Sequence, residues 1–184
     1  MAVRNARKKR IRDVSSRTER CEDTITPVKA ILLFSHGSVL CGAEQNLLEI
    51  AATMKEAGDA PIVEVGFLNY SEPLFASAVS ACVEQGATSI VIAPWFLIAG
   101  KFVVQDLPAA IASVREAYPD VDFSIADVIG FHPAIADAVI ASAGTARDPQ
   151  DWTFVGDNTR WCRKNPRCPL YGEEGCLARD EATA

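Results

Sequence analysis

The chain has 184 residues, 49% hydrophobic and 23% charged, the balance of one soluble domain with extensions. No apolar run is long enough to span a membrane and the N-terminus lacks the apolar core of a signal peptide, so a cytoplasmic protein with no membrane partner is expected. The net charge of −6 is uneven: residues 1–20 carry eight Lys and Arg against Asp13 and Glu19, and the rest is strongly acidic. The basic segment, without aromatic residues or an apolar face, reads as a solvated arm over residues 1–29, and nucleic acid is not expected as a partner.

Order is expected from Pro27. Residues 30–35, Ala-Ile-Leu-Leu-Phe-Ser, form a short apolar run without polar alternation, the mark of a strand buried on both faces. His36-Gly37-Ser38 follows as a turn. Leu47, Ile50, Ala51 and Met54 then fall at helical spacing, with Gly58 placed to cap. The alternation repeats. Residues 62–67 read as a strand, and Phe75, Ala78, Val79 and Cys82 as a helix stripe ended by Gly86. Residues 89–93 read as a third strand, and Leu107, Ile111, Val114 and Tyr118 as the next helix, with Asp106 as its N-cap and Pro108 in its first turn. Residues 123–128 form a fourth strand, and Pro133 opens a last helix to about Ala143.

Four strand–helix units in a row predict a four-stranded parallel sheet in a three-layer α/β/α sandwich over residues 30–143, half of a flavodoxin-like fold. Ligands bind such sheets beyond the carboxyl ends of the strands. The loops 35–42, 68–73, 94–105 and 129–133 meet there. Residues 144–184 read as a linker followed by a Cys- and Arg-rich tail.

Few residues in those loops carry chemistry. The two histidines, His36 and His132, both follow strands, and an imidazole both ligates divalent metals and accepts protons. His36, beside Gly37 and Ser38, is the main candidate. His132 precedes Pro133 and equally suits a helix entry. Glu64 lies within an otherwise buried strand, where a carboxylate needs a partner, so it is a secondary metal candidate. Glu72 precedes Pro73 and suits the start of the second helix. In the tail, Cys162, Cys168 and Cys176 lie close to Arg163, Lys164 and Arg167, which favour thiolates. Thiolates bind zinc or iron–sulfur clusters, but three cysteines leave either site short of a ligand that Cys21, Cys41, Cys82, a second subunit or an outside group would supply. Incidental thiols in a flexible tail are the other reading, and Cys82 lies on a core stripe.

Taken together, Ser35-His36-Gly37-Ser38, the 63–68 strand with Glu72-Pro73, Pro94 through Phe102 with Asp106-Leu107-Pro108, and Gly130-Phe131-His132-Pro133 resemble the CbiX/SirB family of sirohydrochlorin chelatases. The resemblance covers roughly residues 30–143. It implies a class II chelatase that inserts Co²⁺ or Fe²⁺ (Ni²⁺ in relatives) into sirohydrochlorin, toward cobalamin or sirohaem, without an organic cofactor. It also implies a short form in which two subunits pair to make one cleft, and plant relatives carry a cysteine-rich C-terminal segment that holds an iron–sulfur cluster. His36 matches the family's first histidine, and Gly37, Ser38, Gly100 and Lys101 fall in the substrate cleft. The second motif places a histidine four residues before Asp106, where this chain has Phe102. The resemblance therefore carries two alternatives: a family member that holds a tetrapyrrole or metal without inserting it, and a regulatory module built on the tail cysteines. Residues 30–143 contain Lys55, Lys101 and Arg115 against thirteen Asp and Glu. A polyanionic macrocycle then needs local positive charge, which Lys101 and a tail folded over the cleft mouth would supply.

Overall fold

The computed structural model describes residues 30–150, 161–174, 176, 178 and 179; the basic arm and residues 151–160 lie outside them. The body alternates β1 (Ala30–Ser35), α1 (Gln45–Ala57), β2 (Val63–Phe67), α2 (Phe75–Glu84), β3 (Ser89–Pro94), a π-helical turn (Phe102–Asp106) running into α3 (Leu107–Arg115), β4 (Asp122–Ile125) and α4 (Pro133–Ala143). The four strands are parallel, in the order β2-β1-β3-β4. The three-layer α/β/α fold expected from the alternation is present.

Strand periodicity divides the core. Ala30, Leu32 and Phe34 point to one side of β1, where they pack with Phe75, Val79 and Cys82 of α2 and Leu107 and Ile111 of α3. Leu33 points to the other side, toward Leu47 and Ala51 of α1. Gly58 ends α1 in the left-handed conformation (φ 73°), and the Asp59 N–H reaches the Met54 carbonyl at 3.2 Å. Glu72 does not cap α2, whose N-cap is Leu74 without a side-chain cap, but it accepts the Leu74 N–H at 3.0 Å just before the helix.

Two boundaries differ from the sequence expectation. Asp106 is not an N-cap: its side chain accepts no capping bond, because the backbone is already helical from Lys101. The wide π turn feeds straight into α3 and accommodates Pro108, which has no N–H to give to an ordinary helical ladder. β4 is also shorter than expected, closing at Ile125.

α4 starts at Pro133 and ends at Ala143, as the punctuation implies, but none of its residues is buried. Val139 and Ile140 are 62% and 71% exposed on an almost wholly apolar helix. No helix among the described residues is long and apolar enough to cross a membrane.

Candidate functional site

His36 stands at the carboxyl end of β1, and the chain on either side explains how it is held. The Leu68 N–H donates to the Ser35 carbonyl at 2.9 Å and the Asn69 N–H to the His36 carbonyl at 3.0 Å, so the β2–α2 loop is zipped to the His36 loop. Gly37 lies at φ +83°, and a Cβ there would overlap the Asn69 carbonyl oxygen. The close approach requires glycine. Below it, Ser71 is fully buried; its hydroxyl accepts the Ser38 N–H at 3.1 Å and donates to the Ser38 carbonyl at 3.3 Å. The Ser38 hydroxyl accepts the Leu40 N–H at 3.0 Å.

The imidazole sits among aromatic rings. Phe102 lies 4.3 Å from it between centroids, tilted by 39°, and Tyr70 lies 5.7 Å away edge-on. Phe96 stacks behind Phe102 at 6.1 Å. The π turn thus delivers to His36 the side chain that the sequence places where a second histidine is expected. Phe96 also lines an open apolar groove of about 510 Å³, walled by Trp95, Leu97, Ile135, Ala138 and Val139. The groove runs from the aromatic cluster to α4.

The remaining candidates separate. Glu64 pairs across the sheet with Leu32, four residues before His36, so it sits about 13 Å down the strands from His36. Its carboxylate is held by Lys55 Nζ at 3.1 Å and Gln85 Nε2 at 2.9 Å; the structure does not bring it to the imidazole. His132 is the N-cap of α4, its Nδ1 accepting the Ala134 N–H at 3.2 Å. Lys101, expected to bring positive charge to the cleft, reaches both Asp106 carboxylate oxygens at 3.1 Å, so its charge is locally balanced. Gly100 has open space around its α-carbon; its carbonyl accepts the Val103 and Val104 N–H groups at 3.0 Å as the π turn begins. Among the described residues no group of three or more His, Cys, Asp or Glu side chains is arranged to hold a single metal ion.

The tail does reach the His36 loop. Arg163 donates from Nη1 to the Tyr70 carbonyl at 3.3 Å and from Nη2 to the Ser38 and Leu40 carbonyls at 3.3 and 3.5 Å. Its Nε lies 3.7 Å from Glu44 Oε1. The Arg167 guanidinium stands 5.6 Å over the Tyr70 ring. Arg163 is therefore spent on this chain's own carbonyls. Burial and the Glu64 charge push the Cys82 thiol up to about 12, the state of a core residue.

Tyr70 and Ser71 also shape the site, and the sequence reading missed their roles. Tyr70 adopts φ 65°, unusual for a bulky residue, in a turn-type stretch that hides Ser71's burial.

An open parallel sheet with an imidazole in the first strand–helix loop, and an apolar groove beside it, belongs to the class of α/β proteins that bind ligands beyond their strand ends. Residues 30–146 match the CbiX family, and the chain belongs to it. It is 35% identical over 89 residues to a sirohydrochlorin cobaltochelatase of Methanocaldococcus jannaschii, covering 48% of this chain and 62% of that one. It is 33% identical over 111 residues to a sirohydrochlorin ferrochelatase of Bacillus subtilis, covering 60% of this chain and 42% of the relative. The crystal structure of the sirohydrochlorin chelatase SirB from Bacillus subtilis subspecies spizizenii in complex with cobalt superposes with a TM-score of 0.58 at 32% identity. That match covers 62% of this chain and 49% of SirB. The chain thus spans about half the length of the curated relatives it matches.

Proposed function

We propose that this chain is a sirohydrochlorin chelatase-type enzyme of the cytoplasm that inserts Co²⁺ or Fe²⁺ into the macrocycle. The observation that carries the reading is the placement of His36, in a CbiX fold, at the carboxyl end of β1 beside an apolar groove. Insertion requires a ligand that takes a divalent ion from water and a group that receives the two pyrrole protons, and an imidazole serves either step. In this reading His36 presents the metal, Gly37 and Ser38 hold its loop, and the aromatic cluster and groove receive a flat apolar ring. Residues 30–143 form the catalytic body, and Arg163 and Arg167 of the tail cover one rim of the cleft.

Two further elements belong to the proposal. A second copy of the chain completes the cleft, which is supported by the uncovered apolar faces of α4 and the groove. Cys162, Cys168 and Cys176 bind an iron–sulfur cluster or zinc, supported by thiolate chemistry and by the tail's contact with the His36 loop.

One observation favours a second reading. Phe102 packs against His36 from the motif's expected histidine position and offers neither ligand nor base. A chain with a single imidazole could hold a tetrapyrrole or metal without inserting it. Anaerobic mixing of protein, sirohydrochlorin and Co²⁺ or Fe²⁺, followed by the macrocycle spectrum, separates the two. The enzyme reading expects insertion faster than in the protein-free control, lowered on the order of 100-fold by His36→Ala and raised by Phe102→His. Insertion no faster than the control refutes it.

A further inference from the structure

Cys41 and Arg163 are not needed as metal ligand or proton acceptor in the proposed reaction, yet they meet each other. Cys41 is buried in the loop that carries His36, and its Sγ accepts the Arg163 backbone N–H at 3.3 Å. Cys162 immediately precedes Arg163, and its Sγ accepts the Lys164 N–H at 3.4 Å. Cys176 repeats that local geometry, accepting the Ala178 N–H at 3.4 Å. Backbone N–H groups aimed at sulfur are a standard means of offsetting thiolate charge at metal centres.

The thiols also act on one another. The Cys41 thiol is hydrogen-bonded by the Arg163 and Asn165 N–H groups and by the Cys162 and Cys168 side chains. Cys162 in turn neighbours the Cys41 and Cys176 sulfurs. Four cysteines, one from the body and three from the tail, therefore face a common region. A single tetrahedral zinc draws its sulfurs to about 2.3 Å from one point and usually uses closely spaced Cys pairs. The spacing of Cys162, Cys168 and Cys176 contains no such pair. A cluster, which spreads its thiolates over several irons, suits the arrangement better.

We propose that Cys41 joins Cys162, Cys168 and Cys176 as the fourth ligand of one iron–sulfur cluster, and that this cluster latches the tail onto the His36 loop through Arg163. The inference rests on the reading that the tail thiols bind a cluster, and adds the missing ligand and its consequence. Fixing the Cys41 and Cys162 sulfurs to one cluster fixes the Arg163 backbone between them. The guanidinium is then held on the Ser38, Leu40 and Tyr70 carbonyls, which belong to the two loops flanking His36. Loss of the cluster leaves that clamp attached by hydrogen bonds alone. The shape of the His36 rim thereby depends on whether the cluster is present.

The test uses the full chain, reconstituted without oxygen from ferrous iron and sulfide. Iron, zinc and acid-labile sulfide are measured, thiols are mapped by alkylation, and amide exchange is followed over residues 36–44 and 68–73. Iron and labile sulfide in equal amounts are expected, with Cys41, Cys162, Cys168 and Cys176 protected together from alkylation in the unsubstituted chain. Cys41→Ser should lose most of the cluster and Cys82→Ser should keep it. Amide exchange in the two loops should slow on the order of tenfold on loading. Arg163→Ala should retain the cluster while those loops return to the unloaded rate. Absence of labile sulfide from the loaded wild-type chain, or zinc in its place, sinks the underlying cluster reading. A cluster that leaves Cys41 open to alkylation, or that survives intact in folded Cys41→Ser, sinks the fourth ligand. Equal loop exchange with and without the cluster sinks the latch.

Discussion

Replacing Gly37 by alanine tests the support of the His36 loop, with Gly58 as an internal reference. Both glycines adopt left-handed backbone, φ +83° and +73°, but their surroundings differ. A Cβ at Gly58 meets nothing within 4 Å, whereas at Gly37 it overlaps the Asn69 carbonyl and stands 3.2 Å from the Ser71 nitrogen. Gly58→Ala therefore costs only the left-handed conformation, about 1–2 kcal/mol. Gly37→Ala adds displacement of a backbone segment that donates the Asn69 N–H to His36 and positions Ser71 beneath Ser38. Losing two or three such bonds at about 1 kcal/mol each brings the total to about 3–5 kcal/mol. Urea denaturation followed by circular dichroism measures both, and cobalt affinity should fall for Gly37→Ala alone. If Gly37→Ala costs no more than Gly58→Ala, the tight packing of the two loops is not what holds His36.

Ser71→Ala leaves the Ser38 N–H without its partner and should lower the urea midpoint by the equivalent of about 1–3 kcal/mol with an unchanged m-value. Glu64→Gln should leave metal affinity unaltered, since its carboxylate serves Lys55 and Gln85 and its backbone lies about 13 Å from that of His36 along the strands; a tenfold loss would return it to the site. Cys82 carries a thiol pKa raised from 9.0 to about 12. Its neutral form thus contributes stability that is intact below pH 9 and lost as pH rises toward 12. The melting temperature of wild type should consequently fall toward that of Cys82→Val, or below it, between pH 9 and 11, and a pH-independent difference would contradict the assignment.

Much of the fold was legible because its signals are local. Apolar runs, helix stripes and Gly or Pro punctuation repeat four times, and each is set by residues within a few positions of one another. The third loop was the exception. Asp106 and Pro108 look like a helix start, and only the π turn shows that the backbone is helical before either of them. Glu64 stood out as a carboxylate in a buried strand, but its partners come from α1 and from the residue after α2, which no strand pattern reveals.

By itself the sequence determined the parallel α/β class and the position of His36 at a strand end, which follow from periodicity and spacing; that Phe102 falls where a second histidine is expected is an implication of the family resemblance. The tertiary structure alone decided who meets whom: Phe102 on His36, Asp106 on Lys101, Ser71 under Ser38, and Arg163 with Cys41. The last of these pairs joins residues 122 positions apart. Their contact depends on how sheet order and loop closure bring the segments together, not on any preference of the residues themselves.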